Sequence, residues 1–419
     1  MEVTDMKSKL KILLAAVIAF VAGNCITSCS DDDFGPSIFN TPDLPLDRSL
    51  ATFPLDTFVK KNFLEPYNLR YVYKMEDIGS DLQVNLVPAT YDNSTKLAVL
   101  AKYLWYDVYN KCAGDVFLKT YSPRIIHVIG SPSYNPSSGT ETLGEAEGGL
   151  KITLYNVNNL NENDIDDLNE KFFKTMHHEF GHILAQNYST PTDFNLLSNS
   201  TYNPIDWQNT PDSLAAAEGF VSPYASSQAR EDWVEVLANY IVKDDKTWNA
   251  LINTAGYDWE TIAPAATDFN ALVATGGDRD SIGYFYKVSA NEGQDISEQQ
   301  WTIQRKVIQR DANDHPILDA NGKIVYLEQD GIDGRGLILQ KLEMVREWLQ
   351  TNFNIDIEDL RREVQQRQWV TDANGNYVVG ANGRYINKLT APLDTDPTKT
   401  LMEALLDEVN QYKSLQTTE

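Results

Sequence analysis

Apolar residues recur along this chain in two rhythms, and the rhythms divide it into elements. A spacing of three and four places Leu97, Leu100, Ala101, Leu104 and Val108 on one side of a helix over 94–112. The same rhythm predicts helices over 171–186 and 230–240, the latter with Val234, Leu237, Ala238 and Ile241 at core spacing. Short β-rich or alternating runs at 69–74, 124–130 and 151–156 read as strands. The acidic, cap-rich stretch 161–167 leads into the 171–186 helix as a helix start does. Two segments lack either rhythm: the Gly/Ser/Pro-rich stretch 131–149, and the polar stretch 190–212. Loops as long as the second are commonly functional.

Beyond residue 270 the pattern changes. Segments 319–323 (Asp-Ala-Asn-Gly-Lys) and 372–376 (Asp-Ala-Asn-Gly-Asn) are near copies, each followed by a β-rich run. Asn-Gly between such runs is a hairpin signal, and the ligand spacing of a calcium loop is not met. Helices are predicted over 337–351, 357–366 and 399–413. The pattern as a whole gives an α+β chain: a mixed sheet and helices over 51–270, then a mainly helical part over 271–419 carrying β-hairpins and expected to cover the lower part of a cleft.

Composition narrows the partners. With Lys+Arg 35 against Asp+Glu 60 the net charge is -25, which argues against nucleic acid. The N-terminus carries its own signal. Lys7, Lys9 and Lys11 precede the apolar run 12–23, too short for a comfortable membrane span, so 1–28 reads as a signal peptide. Ile26-Thr27-Ser28-Cys29 resembles a bacterial lipobox, with Cys29 as the acylated residue; Cys25, after Asn24, fits less well. Residues 29–50, with Pro36, Pro42 and Pro45, read as a flexible tether. Cys112 is then left without a disulfide partner and reads as a small buried residue. Ser30-Asp31-Asp32-Asp33 resembles the export signal that sends Bacteroidota lipoproteins to the outer leaflet. The expected address is therefore the outer membrane, facing outward.

The chemistry concentrates at His178-Glu179-Phe180-Gly181-His182. On a helix, positions i and i+4 share a face, so His178 and His182 can converge on one zinc ion while Glu179 addresses a water. The bare H-E-x-x-H pattern is a modest signal. It is strengthened by the later helix, which carries Glu231 and Glu235 at the same spacing. Among the other histidines, His177 cannot share the face of His178 and His182. His127 lies on an apolar strand, and His315 lies in a hairpin turn.

This arrangement resembles the gluzincins. That resemblance implies Glu231 as third ligand and Glu235 as the carboxylate that holds a ligand histidine by its other ring nitrogen; the reverse assignment, and Asp232, stay open. It also implies a phenol near the metal, for which Tyr224 is the candidate, against its reading as a packing aromatic. The order helix, strand, strand, H-E-x-x-H helix resembles the upper domain of zincins. In those proteins the strand before the helix lies at the sheet edge, which implies that 151–156 can pair with an extended peptide.

Taken with the lipobox, His-Glu-Phe-Gly-His-Ile-Leu (178–184), Tyr224-Ala225 and Glu231-Asp232-Trp233-Val234-Glu235 resemble the substrate import-associated zinc metallohydrolase lipoproteins, zinc-binding metallopeptidases of gluzincin type. The resemblance covers residues 25 to about 300. It implies one Zn²⁺, a peptide or protein substrate hydrolysed by zinc-activated water with Glu179 as general base, and TonB-dependent transporters with their binding lipoproteins as neighbours. The alternatives are a non-catalytic surface lipoprotein that captures substrate for such a transporter, and a hydrolase acting on an amide in a glycan or glycoprotein.

Overall fold

Phe53, Leu55, Phe58 and Phe63 are all buried, and they build a helix that the apolar rhythm of the sequence does not announce. In the computed structural model, α1 (Phe53–Val59) starts with Pro54 in its first turn and continues through a wider π turn, Lys60–Leu64. Asn68, at φ 54°, then reverses the chain into β1 (Arg70–Val72). The structure describes residues 46–75, 85–134, 141–147, 150–256 and 332–417, with parts of 259–327 between them. The signal peptide, Cys29 and most of the tether lie outside the described residues. No helix among the described residues is long and apolar enough to cross a membrane.

The helix predicted over 94–112 runs from α2 (Tyr91–Ala101) through a π turn, Lys102–Tyr106, into α3 (Asp107–Ala113). Thr90 caps its start by accepting from the Asn93 amide. After α4 (Asp115–Tyr121) comes the sheet: β2 (Ile125–Val128), β3 (Gly144–Glu147) and β4 (Lys151–Leu154) join β1 in the order β1-β2-β4-β3. β1, β2 and β4 are parallel, with Ile126 opposite Ile152, and β3 runs antiparallel to β4.

The expectation that 151–156 forms the sheet edge is therefore corrected. Ile152, Thr153 and Leu154 are all buried, so both faces of β4 are covered, as an interior strand requires. Among the described residues the edge on this side is β3, inside the segment read as a loop; its Gly-Glu-Ala-Glu carries no apolar alternation to announce it. Gly144 is needed there. A Cβ at that position would lie 2.2 Å from Thr175 Cγ2, so the edge strand passes directly against the following helix.

That helix begins with one turn, Ile165–Leu168, capped by the Asp164 carboxylate, which accepts from the amides of Asp166 and Asp167. A third π turn, Asn169–Phe173, leads into α5 (Lys174–Asn187). The stretch 190–212 contains only short turns, Phe194–Leu197 and Trp207–Asn209. There follow α6 (Asp212–Ala217), a 3₁₀ turn Tyr224–Ser227, α7 (Ala229–Val242) and α8 (Asp245–Ala255). A three-stranded antiparallel sheet comprises Trp259–Ile262, Tyr284–Ala290 and Gln300–Arg305.

The C-terminal helices are α9 (Gly334–Phe353), α10 (Ile357–Gln368) and α11 (Leu401–Asn410), the last started by a Thr400–Glu403 capping box. Between α10 and α11, Thr371 bridges to Tyr377 and Val379 to Tyr385 across two Asn-Gly turns. Gly375 and Gly383 take φ 84° and 76° there, as the hairpin signal at 372–376 requires. The result is a helix-rich α+β fold in which a small, mainly parallel sheet precedes α5. Every residue of α7 from Glu231 to Val242 is buried, because α5, α9 and α10 all pack on it. Trp233, wedged between Phe194 and Trp348, fixes it on the α9 side.

Candidate metal centre

A helix buried on all sides that still carries Glu231, Asp232 and Glu235 must satisfy each carboxylate internally. Two of the three face α5. The helices approach closely because Gly181, inside the H-E-x-x-H run, has no side chain: a Cβ there would sit 2.8 Å from Val234 and 2.9 Å from Leu237. Across this contact His178 and His182 lie one turn apart, their ring centroids 4.9 Å from each other. Glu231 Oε2 is 3.2 Å from His178 Nε2 and 3.1 Å from His182 Nε2.

The back of His178 is held separately. Its Nδ1 lies 2.8 Å from Glu235 Oε1, while Glu235 Oε2 accepts from Ser222 Oγ at 2.5 Å and from Asn239 Nδ2 at 3.1 Å. Burial opposes a charge on Glu235, but the Lys174 ammonium and these donors outweigh it and hold the carboxyl well below the usual range. An ionised Glu235 accepts a hydrogen bond from the Nδ1–H of His178, which leaves Nε2 as the ring nitrogen that faces the point shared with His182 and Glu231. Burial alone would lower the pKa of His178; the carboxylates of Glu231 and Glu235 reverse this and push it up to about 10. Glu231 moves the other way: the two imidazoles overcome its burial and keep it ionised. Its second oxygen, Oε1, accepts from Arg230 Nε at 3.0 Å.

With both Nε2 atoms deprotonated, the two imidazoles and the Glu231 carboxylate offer three ligand atoms to one point, where a divalent cation fits. The ligand atoms of His178, His182 and Glu231 all lie within 4.8 Å of one another. A tetrahedral zinc about 2.0–2.1 Å from each donor sets donors about 3.3 Å apart, so the two imidazoles and one carboxylate fit that ion. Donor chemistry and spacing agree.

Glu179 is buried on the same helix, and its charge acts on both His178 and Tyr224. The Tyr224 ring lies 5.8 Å from that of His178, tilted by 31°, and it meets Trp207 edge to face at 4.9 Å. Burial, then the Glu231 carboxylate that it hydrogen-bonds, raises the Tyr224 phenol well above its ordinary value, so it stays a neutral donor.

The remaining candidates point elsewhere. Asp232 faces α9, where Lys341 Nζ lies 2.6 Å away and Tyr202 donates to it at 2.9 Å. Lys341 is fully buried, also donates to Gly219 O at 2.7 Å and lies over the Phe220 ring. His177 turns to the Tyr109 hydroxyl, 2.9 Å from its Nδ1, and burial lowers its pKa to about 3. His127 is buried in β2, and the His315 side chain is exposed beside Asp311. Ser222, Lys341, Tyr202 and Trp207 carry no sequence signal that singles them out. Asn239 does, being one turn beyond Glu235 on the same helix.

A helix bearing His-Glu-x-x-His, crossed by a second helix that presents a glutamate to the paired imidazoles, defines the centre of a zinc metallopeptidase of the zincin kind. Residues 49–358 match the family described as "Putative zinc-binding metallo-peptidase", and the chain belongs to that family. A crystal structure of a putative zinc-binding metallo-peptidase from Bacteroides caccae ATCC 43185, at 2.10 Å resolution, is 30% identical. It covers 75% of this chain and 91% of its own, with a TM-score of 0.51. Comparison with curated proteins gives no significant match.

Proposed function

We propose that this protein is a lipid-anchored, cell-surface zinc metallopeptidase that hydrolyses peptide bonds in the service of nutrient import. The observation that carries the catalytic part is the convergence of His178, His182 and Glu231 on one point, with Glu179 on the same helix. His178, His182 and Glu231 would hold a zinc ion there, which would supply Lewis acidity toward a scissile carbonyl and a water molecule. Glu179 accepts the proton of the attacking water on its carboxylate and passes it to the leaving amine. The Tyr224 phenol donates a hydrogen bond to the oxyanion as it forms. Glu235 keeps His178 in the tautomer whose Nε2 is free. The open edge of β3, which passes against the start of α5, is where an extended peptide adds as a further strand.

The lipobox at Cys29 and the acidic run 31–33 support the surface address, and the family resemblance supports a place beside a TonB-dependent transporter and its binding lipoprotein. The test is a peptide-library digest by zinc-loaded wild-type protein and its Glu179→Gln variant. Wild type cleaves, chelator stops it, and Glu179→Gln binds zinc yet loses at least about a thousandfold in rate. A wild type that binds zinc and cleaves nothing makes the protein a capture lipoprotein instead.

A further inference from the structure

Arg230 is bound at one end and open at the other. Its Nε donates to Glu231 Oε1 at 3.0 Å, on the carboxylate whose other oxygen faces both imidazoles. Yet its side chain is 75% exposed, and its two terminal nitrogens meet no acceptor among the described residues. Arg346, Arg361, Arg362 and Arg384 each place a terminal guanidinium nitrogen on a carboxylate. In a protein with 60 acidic residues and a net charge of -25, an arginine fork left open at the metal centre is a local reversal of sign.

We propose that Arg230 determines specificity by receiving a carboxylate of the peptide substrate, close to the bond that is cut. A guanidinium fork pairs with a planar carboxylate through two parallel hydrogen bonds, which a lysine or a neutral donor does not reproduce. The bond from Nε to Glu231 holds the fork in place, so little side-chain entropy is lost when the anion arrives. A net charge of -25 opposes the approach of acidic peptides in general, and the Arg230 guanidinium offsets that repulsion locally. Two peptide groups have the right chemistry, an Asp or Glu side chain and a free C-terminus. The inference rests on the peptidase reading, but its test is made on a protein that does not turn over.

The zinc-loaded Glu179→Gln protein is titrated calorimetrically with a set of decapeptides built on Ala, Ser and Gly. Each carries one Glu at a different position, and its match carries Gln there; a second set compares a free with an amidated C-terminus. The expected result is one position, or the free terminus, at which the acid binds at least about tenfold more tightly than its neutral match. Adding Arg230→Gln removes that difference at unchanged zinc content, and Arg230→Lys restores only part of it. Equal binding of every acid and its match, or a preference that survives Arg230→Gln, overturns the proposal and confines Arg230 to holding Glu231. Should wild type cleave nothing while the acid preference is found, the peptidase reading fails and the carboxylate site stands.

Discussion

The Glu235 carboxylate lies 2.8 Å from Nδ1 of His178, and that contact determines which ring nitrogen faces the metal. Neither residue does this alone. Glu235 is ionised in a buried place because Ser222 and Asn239 donate to its other oxygen and Lys174 stands nearby. His178 in turn receives a fixed tautomer and ring plane.

Removing that support weakens zinc binding without removing a ligand. Glu235→Ala is expected to raise the zinc dissociation constant about 10- to 100-fold, and Ser222→Ala to do so less, because Asn239 remains. Competition with a fluorescent zinc chelator measures both. Unchanged affinity in Glu235→Ala would show that His178 is oriented by packing alone.

The buried pair behind the ligand helix makes a stability prediction. Lys341→Met leaves Asp232 as an uncompensated charge in the core and should cost about 3–5 kcal/mol in denaturant unfolding. The double change Lys341→Met with Asp232→Leu should recover most of that loss, since neither charge is then stranded. A single variant as stable as wild type would mean that water reaches Asp232.

His177 makes the pH prediction. Burial depresses its folded pKa to about 3, so between the unfolded value near 6.5 and about 3 the unfolded chain binds the extra proton. Its share of stability is complete above that window and is lost as pH falls through it, by about 2 kcal/mol at pH 5. In zinc-free protein, His177→Phe should flatten the stability profile between pH 7 and 5 relative to wild type. Parallel profiles would place the charge of His177 in a solvated site.

Much of the centre was legible because a helix repeats its face every three to four residues. That rule alone joins His178 to His182 and Glu231 to Glu235, and tertiary packing adds only that the two faces meet. Gly181 shows how they meet, but a glycine inside a helical pattern reads simply as a weak position until Val234 and Leu237 are seen against it. The strand edge was misplaced because β3 owes its strand to pairing with β4, not to apolar alternation of its own. Lys341, Tyr202 and Ser222 were invisible for a related reason: each meets α7 through a contact distant in sequence, and no local rhythm encodes such a contact. The helix over 53–67 was hidden by its own composition, with a π turn interrupting the spacing of Phe58 and Phe63.

The claim on which the rest depends is that two histidines of α5 and one glutamate of α7 hold a single zinc ion. Zinc content and dissociation constant, measured for wild type and for His178→Ala, His182→Ala and Glu231→Ala, test it most directly. The account predicts one chelator-removable zinc per chain, bound at least about a hundredfold more weakly in each variant. Stoichiometric zinc held at wild-type affinity by all three variants, or a wild type that takes up none, would contradict it.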